Sequence, residues 1–271
     1  MFDLDAYLRR VGASECPCLA ELHRAHATSI PFENLDPYGG TPVSLAIEDL
    51  QHKLVGERRG GYCFEHNLLL KAALEALGAE VEPLLARVRV GAPPGAVRPR
   101  SHLLLRVRHE GATWHADVGF GAGTLLEPLP FGPGETHEQS GWRFRVVEEG
   151  AELVLQTVGE EGWKDLYAFL PQPVPIVDIE MSNWFTSSHP ASVFVTSLMI
   201  VAQHPDGTRM VLSDRDELAL TERTPSGETV TALAREQIPS LLAERFGLPG
   251  YTLDGGGRVV RAQSTGPATS V

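Results

Sequence analysis

Hydrophobic residues repeat with helical spacing in the first third of the chain. An apolar stripe of helical period occupies residues 4–11, and further helical stretches follow Pro17 and Ser44. A longer helix is predicted at 63–77, because Gly78 occupies the position just past its end where a left-handed glycine commonly closes a helix. These patterns predict an N-terminal helical bundle.

The pattern changes after residue 80 to short runs in which apolar and polar residues alternate. Glycine and proline separate these runs, which is typical of antiparallel strands. The predicted strands are 85–90, 102–109, 112–118, 143–147 and 153–157. They indicate an antiparallel sheet or a small barrel that follows the helical bundle.

The last third of the chain mixes both patterns. A proline-rich connector at 171–175 precedes predicted strands at 193–202 and 209–213 and a predicted helix at 233–246. The segment 254–271 is rich in glycine, serine and threonine, and we expect it to be a flexible tail. We therefore predict an α+β protein.

Composition and charge narrow the possible partners. The chain has 271 residues, of which 42% are hydrophobic and 21% charged, enough to bury a substantial core. Its 23 lysines and arginines stand against 35 aspartates and glutamates, a net charge of −12. Such a surface argues against nucleic acid or an anionic membrane as the main partner. The longest mostly apolar stretch, at 193–202, is far shorter than the ~20 residues that span a bilayer.

Cysteine usage and the amino terminus point to the cytoplasm. Residues 1–10 lack the apolar core of a signal peptide. The three cysteines, Cys16, Cys18 and Cys63, are too few for a disulfide framework and lack the paired C-x-x-C spacing of a zinc site. We therefore expect a reducing compartment and no metal.

Cys63 is the candidate nucleophile. It follows Gly60 and Gly61, which allow a tight turn, and it opens the predicted helix at 63–77. Free amide donors and the positive end of the helix dipole favour a thiolate at such a position. A buried cysteine that only packs at a helix start is the commoner situation for an arbitrary cysteine, so the neighbours of Cys63 decide its role.

A cysteine nucleophile needs a histidine to hold its proton and a carboxylate to orient that histidine. If the strands at 102–109 and 112–118 form a hairpin with a two-residue turn, His109 faces Ala112 and Leu104 faces Asp117. His102 then becomes the diagonal neighbour of Asp117 on the same face, within reach of a hydrogen bond. The register alone therefore predicts a His-Asp pair.

Other histidines are weaker candidates. His66 lies on the same predicted helix as Cys63, where we expect it to be solvated or satisfied locally. His23 and His26 resemble a metal pair, but no third ligand is nearby, and we expect them on an exposed helix face.

Five segments in this order resemble the arylamine N-acetyltransferase family, and the resemblance covers about residues 4–248. The segments are IPFENL at 30–35, RGGYC at 59–63, SH at 101–102, DVGFG at 117–121 and NWFTSSHP at 183–190.

The resemblance implies a fold of three parts with a Cys-His-Asp triad at the first junction. The implied segments are a helical bundle at 1–84, an antiparallel β-barrel at 85–183, an α/β lid at 184–253 and the tail at 254–271. The triad maps onto Cys63, His102 and Asp117.

The resemblance also implies a ping-pong reaction and a set of partners. The cysteine would take acetyl from acetyl-CoA and pass it to an arylamine, arylhydrazine or arylhydroxylamine, with no tightly bound cofactor. Phe32, Phe120 and Phe194 would line the pocket for the aromatic ring, although any of them could be ordinary core. Glu33 and Arg59 resemble an ion pair of the family that holds the loop before the cysteine.

Three alternatives stay open at the level of sequence. An amide synthase that closes a macrolactam from a carrier-bound polyketide shares the fold and the triad. A transglutaminase-like cysteine hydrolase would use the same triad with water or lysine as acceptor. A non-catalytic binding module would not need Cys63, His102 and Asp117 in register.

Overall fold

The computed structural model describes residues 2–93, 95–159 and 161–262 of the chain. The helices are α1 (Leu4–Val11), α2 (Leu19–Ser29), α3 (Leu35–Tyr38), α4 (Ile47–Gln51), α5 (Cys63–Ala76), α6 (Ile176–Ser188), α7 (Val193–Thr196) and α8 (Ile238–Arg245). The strands are β1 (Phe32–Glu33), β2 (Glu80–Val88), β3 (His102–His109), β4 (Ala112–Ala116), β5 (Leu129–Pro130), β6 (His137–Gln139), β7 (Trp142–Glu149), β8 (Glu152–Gly159), β9 (Gly162–Phe169), β10 (Met199–Gln203), β11 (Arg209–Ser213), β12 (Ala219–Thr224), β13 (Gly227–Ala232), β14 (Tyr251–Leu253) and β15 (Val259–Arg261).

The predicted N-terminal helices are confirmed, and local signals explain where they begin and end. The Asp3 carboxylate accepts the N–H of Ala6 and caps α1, which ends at Gly12 with a φ of 75°. The helical stretch predicted after Ser44 is α4 followed by a π-helical turn. Gly78, with a φ of 88°, follows the end of α5 as expected.

Eight antiparallel strands form a nearly closed barrel, in the order β5-β4-β3-β2-β9-β8-β7-β6. A side chain joins the two edges: the Gln139 amide oxygen accepts the N–H groups of Leu126 and Glu127, and its NH₂ donates to the Glu127 carbonyl. These three bonds stand in for the backbone hydrogen bonds that would join β5 and β6 in a fully closed barrel. The predicted barrel is thus an eight-stranded sheet.

The β3–β4 hairpin has the predicted register. His109 pairs with Ala112, and Leu105 pairs with Ala116. The two turn residues, Glu110 and Gly111, have φ values of 51° and 76°, as a type I′ turn requires.

The third part of the molecule packs on both the bundle and the barrel. A five-stranded antiparallel sheet has the order β1-β10-β11-β12-β13, and β14 pairs with β15 in a separate hairpin. The bundle packs on the outer face of the barrel through α5 and β3, whereas a second apolar cluster fills the barrel interior. A further cluster, which contains Phe32, Cys63 and Val201, joins all three parts. The core therefore converges on the start of α5.

The strand predicted at 193–202 is wrong in its first half, where the structure has the helical turn α7. The Ser192 hydroxyl accepts the N–H of Phe194 and caps this turn. The Asn34 amide donates to the carbonyls of Phe194, within α7, and of Ser197, just after it. Distant hydrogen bonds thus override the local preference of a β-branched run.

The helix predicted at 233–246 begins later, at Ile238, because the N–H of Leu233 still donates to the Leu218 carbonyl beside the β12–β13 hairpin.

The expectation of a flexible tail from residue 254 is wrong for its first part, since β15 pairs with β14. The rest of that tail, residues 263–271, lies outside the described residues. The elements that were not predicted are strands β1, β5, β6, β9, β12, β13, β14 and β15 and helices α3 and α6.

The proposed division at 84/85 and 183/184 falls inside β2 and α6. The division into segments, and the role of the third one as a lid, stay predictions. Across the described ranges, no helix is long and apolar enough to cross a membrane.

Candidate active site

The loop before α5 brings Cys63 to the first position of that helix. A Cβ added at Gly60 would lie 2.1 Å from the Pro31 carbonyl oxygen, and one at Gly61 would lie 2.7 Å from Oε2 of Glu65. Only glycine allows these approaches. The Glu65 carboxylate accepts the N–H of Tyr62, which satisfies a backbone donor at the helix start.

A buried ion network holds this loop in place. The Glu33 carboxylate lies 3.6 Å from the Arg59 guanidinium, which also pairs with Asp36 and donates from Nε to the Tyr251 hydroxyl at 3.0 Å. Lys53 Nζ lies 2.7 Å from carboxylate oxygens of both Asp36 and Glu65. The network therefore ties the start of α5 to α3 and to the β14–β15 hairpin.

His102 meets both Cys63 and Asp117. Its Nε2–H donates to Asp117 Oδ2 at 2.7 Å, and both side chains are buried. Cys63 lies close enough to His102 to help raise the pKa of that imidazole. Since Nε2 faces Asp117, Nδ1 is the ring nitrogen left for the thiol. The Cys63 Sγ lies 3.8 Å from the Ser101 carbonyl oxygen, next to His102.

Asp117 accepts four hydrogen bonds. Its Oδ2 accepts from His102 and from the Tyr167 hydroxyl, at 2.7 and 2.8 Å. Its Oδ1 accepts from the Asn67 amide and from the N–H of Gly119, both at 3.0 Å. Four donors therefore satisfy the hydrogen-bonding capacity of this buried carboxylate.

The charges of His102 and Asp117 stabilise each other. Burial by itself raises the pKa of Asp117, but His102 and the other hydrogen-bond donors lower it to well below its usual range. Burial likewise lowers the pKa of His102, but the charge of Asp117, their hydrogen bond and Cys63 raise it well above the ordinary value. Near neutral pH the pair is therefore an imidazolium beside a carboxylate.

Two residues of this site were missed at the level of sequence. Asn67 lies one helical turn after Cys63 on the same face of α5, and that spacing is a signal that could have found it. Tyr167 comes from β9, a strand that was not predicted, so no local signal pointed to it.

The expectation that His23 and His26 lie on an exposed helix face is wrong, since both are fully buried. His23 Nε2 accepts the backbone N–H of Asp117 at 3.0 Å. His26 lies between the Tyr7 hydroxyl and His66, at 2.8 and 2.9 Å. His66 is buried as well. Burial lowers the pKa of His23 to about 4, so it is neutral near pH 7 and acts as an acceptor.

The structure brings the three candidate phenylalanines to the two sides of this site. Phe32 and Phe194 pack on the apolar cluster of Cys63, with ring centroids 6.0 Å apart. Phe120 contacts the His102 ring edge-on, with centroids 4.8 Å apart. A Cβ added at Gly119 would lie 2.8 Å from the Cα of Cys63, so the loop that carries Phe120 packs directly on the start of α5.

No group of three or more His, Cys, Asp or Glu side chains that could hold a metal ion occurs within 2–93, 95–159 and 161–262. The three cysteines are free thiols, of which Cys63 is buried and Cys16 and Cys18 are exposed.

Comparison with known proteins gives one consistent result. A family model described as N-acetyltransferase matches residues 16–250. The chain is 39% identical over 255 residues to the arylamine N-acetyltransferase of Mycolicibacterium smegmatis, with 91% of this chain and 92% of that protein covered. It is 35% identical over 253 residues to the arylamine N-acetyltransferase / N-hydroxyarylamine O-acetyltransferase of Salmonella typhimurium, with 90% and 88% covered.

The fold agrees with these matches. A solved structure of Mycobacterium marinum arylamine N-acetyltransferase in complex with CoA is similar to this one with a TM-score of 0.86 and 38% sequence identity, over 91% of this chain and 93% of that chain. Since the similarity in sequence and in fold extends over nearly the whole of each chain, this protein belongs to the arylamine N-acetyltransferase family of acyltransferases.

Proposed function

We propose that Cys63 carries the acetyl group from acetyl-CoA to the nitrogen of a small arylamine, arylhydrazine or arylhydroxylamine, with His102 and Asp117 as the other members of a catalytic triad. The observation that carries this proposal is the buried 2.7 Å hydrogen bond between His102 and Asp117, beside the start of α5, where Cys63 lies close enough to raise the pKa of the His102 imidazole. The names of the relatives, and the CoA bound to one of them, support the donor and the acceptor class.

In the first half-reaction, the Cys63 thiolate attacks the carbonyl carbon of the acetyl-CoA thioester. The C–S bond to CoA then breaks, and the leaving CoA sulfur takes the proton from His102. The exchange of one thioester for another is nearly balanced in energy, so the acetyl-enzyme forms without an additional energy source.

In the second half-reaction, the amine nitrogen attacks the acetyl carbon on Cys63. An aromatic amine is unprotonated at neutral pH and keeps its lone pair, while His102 accepts the proton that the nitrogen loses. The C–S bond breaks, and Cys63 returns to the thiolate beside the imidazolium. No atom or electron is left over in this cycle.

Both steps also need a donor to the oxyanion and a pocket for the aromatic acceptor, and the surroundings of Cys63 offer both. As the first residue of α5, Cys63 has an N–H with no intrahelical acceptor, and we propose it as a donor to the oxyanion. We assign Phe32, Phe120 and Phe194 to the aromatic acceptor, because their rings pack beside Cys63 and His102.

We infer that the reaction takes place in the cytoplasm and needs no tightly bound cofactor. The free thiols Cys16, Cys18 and Cys63 support a reducing compartment. The net charge of −12 argues against nucleic acid and anionic membrane as partners.

Mass spectrometry of the intact protein tests the proposal. After incubation with acetyl-CoA alone, we expect the wild type to gain the mass of one acetyl group and Cys63→Ser to gain none. Addition of an aromatic amine should remove the adduct and yield the acetylated amine. Loss of the adduct in water at the same rate without amine would favour a cysteine hydrolase, and absence of any adduct would favour a binding module.

Chelation tests the absence of metal from the chemistry. We expect the rate of acetyl transfer to be unchanged after dialysis against EDTA, because a thiolate and an imidazole supply every proton transfer and bond change. The measurement is the initial rate of amine acetylation before and after dialysis, with metal-free buffer as control. Loss of activity that zinc restores would contradict this prediction.

A further inference from the structure

His115 is a buried histidine that acetyl transfer, as proposed above, does not use. It lies on β4, two residues before Asp117, and is fully buried in the barrel. Its Nε2 is 2.7 Å from the Tyr167 hydroxyl oxygen, and its ring packs edge-on against Phe169, with centroids 5.2 Å apart. Among the described residues, its Nδ1 has no hydrogen-bond partner.

The positions of the protons follow from the acceptors. Asp117 is ionised and can only accept, so the Tyr167 hydroxyl donates its proton to Oδ2 at 2.8 Å. A hydroxyl has one proton, so the 2.7 Å contact to His115 must be a bond from His115 Nε2–H to the Tyr167 oxygen. Burial lowers the pKa of His115 to about 4, so the ring is neutral and its single proton stays on Nε2.

Packing alone does not explain a histidine at this position. Its ring packs on Phe169, and its neighbours on the adjacent strands are Leu129 and Arg106, whose guanidinium pairs with Glu82. An aliphatic side chain would fill the same space without leaving a buried nitrogen unpaired, which costs stability. Such a cost points to a role for the one bond that the histidine does make.

We propose that His115 is a positioning residue: its Nε2–H holds the Tyr167 hydroxyl toward Oδ2 of Asp117, and thereby holds the carboxylate that orients His102. This inference rests on the triad chemistry proposed above. A donor to the hydroxyl oxygen also polarises the O–H group and strengthens its bond to the carboxylate.

Replacing His115 is expected to weaken the hold on Oδ2 of Asp117. Without His115, the Tyr167 hydroxyl can rotate away from Oδ2 into the space that opens. Oδ1 stays held by Asn67 and Gly119, but Oδ2 is then held by His102 alone. The imidazole spends less time beside the thiol, so the thiolate and imidazolium pair is less populated at acidic pH.

The titratable groups that surround Asp117 and His102 come from five elements. They are His23 of α2, Cys63 of α5, His102 of β3, His115 of β4 and Tyr167 of β9. Burial keeps His23 and His115 neutral above about pH 4 and raises the pKa of Tyr167 well above its ordinary value. None of these three groups therefore changes its charge between about pH 5 and pH 9. Burial raises the pKa of Glu65, two residues after Cys63, to about 7, so its charge changes within this range in the wild type and in the variants alike.

Alkylation of Cys63 by iodoacetamide measures this pair without an acyl donor. The readout is the ratio of the alkylation rate constants at about pH 6 and about pH 9. We expect His115→Leu to lower this ratio at least threefold. His115→Gln, which keeps an N–H donor at a similar distance from the backbone, should stay within twofold of the wild type. Acetyl transfer to an aromatic amine should fall in His115→Leu through kcat, with little change in the KM of the amine.

A double-mutant cycle separates this role from general damage to the fold. In a Tyr167→Phe background, which removes the hydroxyl, His115→Leu should not lower the ratio further. Circular dichroism and thermal unfolding show whether each variant is folded. An unchanged or raised ratio in folded His115→Leu, or an additive effect in the double variant, would overturn the proposal. Because iodoacetamide needs no acetyl-CoA, this result does not depend on whether the chain transfers acetyl.

Discussion

Replacing Cys63 with alanine is expected to lower the rate of acetyl transfer from acetyl-CoA to an aromatic amine by at least about 10³-fold, as is common when a covalent nucleophile is removed. The imidazole of His102 and the apolar pocket remain in this variant, so binding of substrates should persist while the acetyl-enzyme cannot form. The measurement is the initial rate of amine acetylation, followed by chromatography of the product.

The two exposed cysteines provide matched controls for that experiment. Cys16→Ala and Cys18→Ala remove thiols that lie outside the site, so both should keep nearly the full rate. Cys18→Ala removes the sulfur that accepts the N–H of Glu21 at the start of α2, a small local loss. A Cys63→Ala variant with close to wild-type activity, or a loss specific to Cys16 or Cys18, would contradict the assignment of the nucleophile.

Replacing Asp117 with asparagine is expected to lower kcat by about 10²- to 10⁴-fold, by analogy with serine protease triads in which the orienting carboxylate is made neutral. The asparagine oxygen can still accept from Asn67 and Gly119, so the fold should persist. Its NH₂ group then faces His102 Nε2, which must become an acceptor. The imidazole proton moves to Nδ1, toward the thiol, where the ring can no longer accept a proton.

The dependence of the thiolate on pH follows from the same charges. In the wild type, Asp117 stays ionised above its lowered pKa, and His102 stays protonated below its raised pKa. The ion pair therefore persists from acidic to mildly basic pH, and alkylation of Cys63 by iodoacetamide should stay fast over that range. In Asp117→Asn, burial of His102 is no longer opposed by a negative charge, so its pKa falls and the alkylation rate should follow an ordinary thiol titration.

The rate of alkylation between about pH 5 and pH 9 is the direct measurement, and His102→Gln should behave like Asp117→Asn. Asp5→Asn, a change of an exposed carboxylate on α1, is the matched control and should keep the wild-type profile. If both site variants keep a fast rate at acidic pH, the start of α5 alone activates Cys63, and the His-Asp pair has another role.

Local sequence patterns were sufficient where short-range interactions determine the structure. The β3–β4 hairpin is an example: alternation and a two-residue turn predicted that His109 faces Ala112, and the structure has this register. A shift by one residue would turn every side chain to the other face, so the register determines that His102 and Asp117 share a face. The start and the end of α5 were predictable for a similar reason, since glycines mark both.

Contacts between distant parts of the chain determine the features that local patterns did not predict. Tyr167 reaches Asp117 from a strand that follows 50 residues later, and no periodicity within β9 indicates that neighbour. Residues 193–196 form a helical turn rather than a strand because Asn34, about 160 residues earlier, donates to the carbonyls of Phe194 and Ser197, within and just after that turn.

The sequence by itself thus determined the mixed α+β class, the helix that begins at Cys63 and the face shared by His102 and Asp117, because caps, turns and side-chain alternation act over a few residues. Only the tertiary structure decided which groups surround Asp117. Burial excludes water from this carboxylate, so each of its lone pairs needs a donor from the protein. These donors come from α5, β3, β9 and the loop after Asp117, which only the packing of the barrel against the bundle brings within 3.0 Å of its oxygens.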